Sequence, residues 1–195
     1  MLQDQVSLWL TAVAVMIALY IGTFEMSFRT VFPAILAVAG VVIGNIAEGR
    51  IKTDIEVSEE EGKSIIYYGA LGFLLIGLIG SLAGWVLQPE RLPKFSLLDY
   101  ALFGILMAVA EEQFFRAGLL SWIRASVSDN TVAIVASATI FSAYHLAVYG
   151  IDINRLVYVF IGGVVLAWLV VKTNRISPSI IAHMLNNLAG VMFVG

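Results

Sequence analysis

The 195-residue chain contains no cysteine, which excludes a disulfide framework, a thiolate metal site and a cysteine nucleophile. Charge is also scarce. Asp, Glu, Lys and Arg make up 13% of the residues, about half the ~25% usual for soluble chains. With a net charge of −3 and only 11 Lys and Arg, scattered along the chain, there is no basic field for nucleic acid. Histidine occurs twice and proline four times. Apolar residues are what the chain has in excess, at 60% of the total with a mean hydropathy of +0.93. A soluble domain of this size cannot hide that much apolar surface, so an integral membrane protein is expected.

A spanning helix needs roughly 20 mainly apolar residues. Stretches of that kind lie at residues 7–24, 31–47, 64–87, 97–123, 131–150, 153–172 and 177–194, which predicts an all-α, polytopic transmembrane helix bundle of about seven spans. The first stretch follows MLQDQVS, which lacks a basic n-region, and it has no small-residue cleavage pattern; retention on the mature protein is expected. Pro33 and Pro178 are expected near helix starts, with Ser177 in the N-cap place before Pro178. Residues 45–64, NIAEGRIKTDIEVSEEEGKS, read as a solvated loop, and QPERLPKF as a rigid turn or short interfacial segment. Counted by loop parity, Arg50, Lys52, Lys63, Arg124, Lys172 and Arg175 fall on the N-terminal side. Arg29, Arg91, Lys94 and Arg155 fall opposite, and six against four predicts a cytoplasmic N-terminus in a multi-pass cell-membrane protein.

Against this apolar background the ionisable residues inside spans stand out. Glu111 and Glu112 are adjacent in LFGILMAVAEEQFFRAGLLSWI, and Arg116 follows one helical turn after Glu112. A carboxylate at mid-bilayer costs about 2.5–3.5 kcal/mol on the insertion scale, so such a residue is a functional hypothesis by default. Both histidines, His145 and His183, also lie in apolar stretches, and lipid offers them no hydrogen-bond partner. A single buried His is usually an interhelical contact worth about 1 kcal/mol. Two His, two Glu, Arg116 and the Asn186-Asn187 pair, all within three of the last four spans, are too many for unrelated packing contacts.

Residues four apart share a helix face. Glu112 therefore reaches Arg116, and His183 shares a face with Asn187, leaving Asn186 turned about 100° away. Arg116 neutralises Glu112, and Glu111, on another face, is left for chemistry. This equipment suits attack of water on a carbonyl. Glu111 and one His would take the water proton, while the other His and an Asn amide would hold the oxyanion. Ser121, Ser137 and Ser142 stand in no G-x-S-x-G elbow. The same groups admit metal chemistry, since Glu111, His145 and His183 form the two-His, one-carboxylate set of several zinc sites, although there is no H-E-x-x-H helix.

At these residues a family resemblance becomes specific. Glu111-Glu112-Gln113-Phe114-Phe115-Arg116 resembles the EExxxR motif of the CAAX prenyl protease and bacteriocin-processing (CPBP, or Abi) intramembrane proteases. Phe141 through His145 is similar to that family's FxxxH, and His183 through Asn187 to its HxxxN. Phe160-Ile161-Gly162-Gly163 through Trp168 resembles its glycine-containing region. One departure is Ala117, where the family commonly has Gly. The similarity covers about residues 97–190, so residues 97–195 are expected to form the catalytic core. Residues 1–96, with the first helices and the polar loop, match nothing specific but belong to the same integrated membrane domain.

The resemblance implies an intramembrane endopeptidase that cuts near the C-terminus of a lipidated or hydrophobic peptide. Glu111 would be the base, assisted by His145, with His183 and Asn187 as oxyanion donors and Glu112, Arg116 and Phe141 in support. It implies no cofactor, with zinc as the alternative. The rival class is a non-catalytic bacteriocin-immunity or interaction protein, or a small proton-coupled transporter, because buried Glu and His also serve proton relays. One tension concerns depth. If the fifth span runs to Gly150, His145 and His183 are offset by about 12 Å at 1.5 Å per residue.

Overall fold

A computed structural model describes residues 28–46, 57–82 and 97–192. The expected first span at 7–24, the middle of the polar loop and the QPERLPKF connector lie outside the described residues. Those described form helices α1 (Phe28–Ile46), α2 (Glu59–Leu82) and α3 (Leu97–Glu112), then a π-helical segment (Gln113–Leu120) that continues into α4 (Ser121–Ser126). After these come α5 (Asn130–Tyr144), the single turn α6 (Leu146–Tyr149), α7 (Ile153–Thr173) and α8 (Ser177–Met192). No strand occurs among the described residues.

The all-helical class is as expected. By length and composition α2 and α7 are apolar enough to cross a membrane, whereas the apolar part of α1 and the whole of α5 are shorter. Three sequence boundaries move. The acidic run Glu59–Glu61 is not loop but the first turn of α2. Ser58 and Glu61 form a reciprocal capping box: the Ser58 N–H donates to Glu61 Oε2 at 3.0 Å, and the Glu61 N–H donates to Ser58 Oγ at 3.3 Å. Together with the helix dipole, this favours carboxylates at that end. Pro33 lies within α1 rather than at its start, while Pro178 does fall in the first turn of α8. The expected fifth span ends at Tyr144, six residues before Gly150.

Helix ends elsewhere follow local chemistry. Asp129 caps α5 by accepting from the Thr131 and Val132 N–H groups at 2.7 and 3.3 Å. Asp152 caps α7 by accepting from the Arg155 N–H at 3.1 Å. Asn174, at φ 52°, closes α7 in the left-handed region that Asn tolerates better than most residues. The start of α2 and the α7–α8 turn lie at one end of the bundle, where Glu61 pairs with the Arg175 guanidinium.

Lipid tails are as apolar as leucine, so membrane helices associate by close packing of small residues. Gly40 and Gly44 of α1 lie against the π-helical segment, and a Cβ on Gly40 would stand 2.2 Å from the Gln113 carbonyl oxygen. Gly118 answers from the other side, 2.9 Å from the Gly40 carbonyl oxygen by the same measure. On α2 the buried residues Ile65, Gly69, Gly72, Ile76 and Gly80 form one helical stripe, facing Ile181 and Ala182 of α8 and Leu169 and Tyr158 of α7. Gly163 of α7 meets Ala138 and Phe141 of α5, which gives the expected glycine-containing region a packing role. Ile66, Tyr67, Leu74, Leu78 and Leu82 are exposed on the outer side of α2, as a lipid-facing surface would be.

Candidate active site

The site is built where α3, the π-helical segment, the end of α5 and α8 meet. Glu112 closes α3 and Arg116 follows in the π-helical segment, a backbone form that is rare and recurs at functional sites. Both side chains are completely buried. The Arg116 Nε stands 3.2 Å from Glu112 Oε2, so the pair expected from the spacing forms. Among the described residues none of its guanidinium nitrogens makes a hydrogen bond, but the guanidinium lies 4.4 Å from the Phe141 ring centroid, within cation–π range.

Helix α8 supplies the rest of the polar cluster. Ser179 and His183, four residues apart, face Glu112 together. Ser179 Oγ donates to Glu112 Oε2, and His183 Nδ1 lies 2.8 Å from Glu112 Oε1. His183 Nε2 reaches the other carboxylate, standing 3.6 Å from Glu111 Oε2, beyond hydrogen-bond length but within ion-pair range. Glu111 and His183 are buried, at 5% and 7% exposure. The adjacent glutamates thus point differently, as expected, yet one imidazole touches both. Removing one member of such a buried charged set leaves the others uncompensated, at a cost of about 3–5 kcal/mol.

His145 arrives by another route. At the end of α5 its backbone N–H turns to the Ser142 carbonyl at 3.0 Å, and its ring Nδ1 meets the Phe141 carbonyl at 2.8 Å. The side chain satisfies a carbonyl that the helix end would otherwise leave without a partner. Phe141 packs against both histidines, with ring centroids 4.6 Å from His145 and 6.0 Å from His183. The helix α5 stops at Tyr144 and places His145 at its end, so the span boundary on which the expected offset rested is moved. No hydrogen bond or ion pair joins Glu111 to His145 among the described residues; the imidazole nearest Glu111 is His183.

Asn187 lies one turn beyond His183 on α8, and its Nδ2 donates to the Gly104 carbonyl of α3 at 3.0 Å. One of its two amide protons remains for another acceptor. Asn186 accepts from the Tyr158 hydroxyl at 3.0 Å, an α7–α8 contact away from the carboxylates. Among the described residues no group of three or more His, Asp or Glu side chains is arranged to hold a metal ion, Glu111, His145 and His183 included. Sequence reasoning missed Ser179. Its signal was available, since Ser179, His183 and Asn187 repeat every four residues, but a buried serine in a membrane helix usually reads as packing.

Residues 93–189 match the family model described as Type II CAAX prenyl endopeptidase Rce1-like. No curated protein and no solved structure matches the chain. The matched half contains the Glu pair, Arg116, both histidines and Asn187. With its apolar helices and this match, the chain is a membrane protein and belongs to the CAAX prenyl protease (CPBP) family, a family of peptidases.

Proposed function

We propose that the protein is a multi-pass intramembrane endopeptidase with its N-terminus in the cytoplasm. It would hydrolyse a peptide bond near the C-terminus of a lipidated or hydrophobic peptide that reaches the site from the bilayer. Glu111 is the base that draws the proton from an attacking water, within reach of His183 and with His145 packed against Phe141. The Asn187 amide, with one proton uncommitted, is the neutral donor for the developing oxyanion. Glu112 and Arg116 are the charged pair that holds this arrangement.

The observation that carries the proposal is the Glu111–His183 approach at 3.6 Å inside a buried cluster whose second carboxylate already has its counter-ion. This supports an acid–base role for Glu111 with His183 and a structural role for Glu112 with Arg116, the His183 ring contacting both carboxylates. The test is incubation of purified protein with prenylated and unprenylated peptides, comparing wild type with Glu111→Ala and with added chelator. Cleavage should be lost in Glu111→Ala by about 10²–10⁴-fold, the span of general acid–base contributions, and should survive chelation. No cleavage of any peptide by well-folded protein sinks the protease reading. Loss on chelation, restored by zinc, replaces the metal-free mechanism.

A further inference from the structure

The contacts around Glu112 decide more than its own position. Its carboxylate is the counter-ion of the buried Arg116 and accepts from the Ser179 hydroxyl, so it meets neighbours as an acceptor. The nitrogen 2.8 Å away, His183 Nδ1, must then carry a proton. A neutral imidazole has one protonated nitrogen, and the partner of one nitrogen dictates the state of the other. His183 Nε2, facing Glu111, is left bare.

We propose that Ser179 is a positioning residue for the reaction: with Arg116 it fixes Glu112, and Glu112 in turn locks neutral His183 in the Nδ1–H form, with Nε2 presented as an acceptor. The functional meaning rests on the peptidase reading above. A bare Nε2 cannot donate to an oxyanion, so His183 can accept the proton that Glu111 draws from the attacking water, and the neutral oxyanion donor is Asn187. Ser179 is fully buried, and among the described residues its side-chain hydrogen bond goes to Glu112, so it acts by orientation rather than on the reacting atoms.

The chain has only two histidines, so ¹⁵N-histidine labelling gives two ring systems, and the one that persists in His145→Asn belongs to His183. In the folded full-length protein at a pH where the ring is neutral, the His183 Nδ1 should be the protonated nitrogen and Nε2 the bare one. In Ser179→Ala the His183 ring signals should move while those of His145 stay. On a cleaved peptide, kcat should fall about tenfold with KM within about twofold, the pattern for lost transition-state alignment. A protonated Nε2 in wild type overturns the proposal, as does Ser179→Ala with unchanged His183 signals and unchanged kcat. The spectra need no substrate, so failure to cleave peptides would fault the peptidase reading and leave the tautomer assignment to be judged separately.

Discussion

Two seams hold the Glu-bearing rod, and they work by opposite means. On one side the π-helical segment meets α1 through Gly40, Gly44 and Gly118, backbone against backbone, with no charge involved. On the other, the junction of α3 and the π-helical segment meets α8 through Glu111, Glu112, Arg116, Ser179 and His183, all buried and joined by charge and hydrogen bonds. The glycine seam tolerates almost no added volume, because the nearest atoms are backbone and cannot swing aside. The polar seam tolerates almost no lost atom, because every group removed strands another. Shape thus sets the rotation and depth of the rod, and electrostatics then sets which side chains face each other across it.

The contrast between the seams is tested most severely at Glu112. Glu112→Ala leaves Arg116 and His183 without their shared carboxylate, and about 3–5 kcal/mol of stability should be lost, read as a lower unfolding temperature in detergent. A variant as stable as wild type would show that the pair is not a buried structural contact. The glycine seam should give next. Gly40→Ala places a methyl 2.2 Å from the Gln113 carbonyl oxygen, and overpacking of this kind costs about 1–3 kcal/mol. The same unfolding measurement checks it, and retention of full stability would mean that α1 does not pack there.

The smallest effect should come from a glycine outside both seams. Among the described residues nothing outside the local helix backbone lies within 4 Å of a Cβ added to Gly77, in α2, so Gly77→Ala should not destabilise. It should instead raise stability by about 0.5–1 kcal/mol through helix propensity alone. If Gly40→Ala and Gly77→Ala behaved alike, the distinction between packed and open glycines would fail.

Much of the candidate site is legible in the amino-acid sequence. Glu112 and Arg116 are four residues apart, so their pairing is a matter of one helix and needs no knowledge of neighbours. The two histidines are conspicuous because an imidazole in an apolar stretch needs a partner. The partner of each is not legible. Spacing assigns His183 to a face shared with Asn187, and it does not show that the same ring touches both glutamates. The end of α5 at Tyr144 is also hidden, because ATIFSAYHLAVY is mainly apolar and carries no Gly or Pro before Gly150. The signal there is a side chain, His145, taking the Phe141 carbonyl. The start of α2 is masked because three consecutive glutamates resemble a solvated loop, whereas the Ser58–Glu61 capping box makes them a helix start.

The membrane class, the helical class and the cast of chemistry-bearing residues were set by composition and by periodicity within single helices, because burial of apolar surface and i, i+4 neighbourhood are local properties. The tertiary structure alone decided that one imidazole bridges two carboxylates, that Ser179 completes the shell of Glu112, and that Phe141 packs against both histidines. Those relations depend on the rotation and depth of helices distant in sequence. Rotation and depth are set in turn by small residues meeting across seams, and a glycine in a membrane helix does not announce which backbone it will touch.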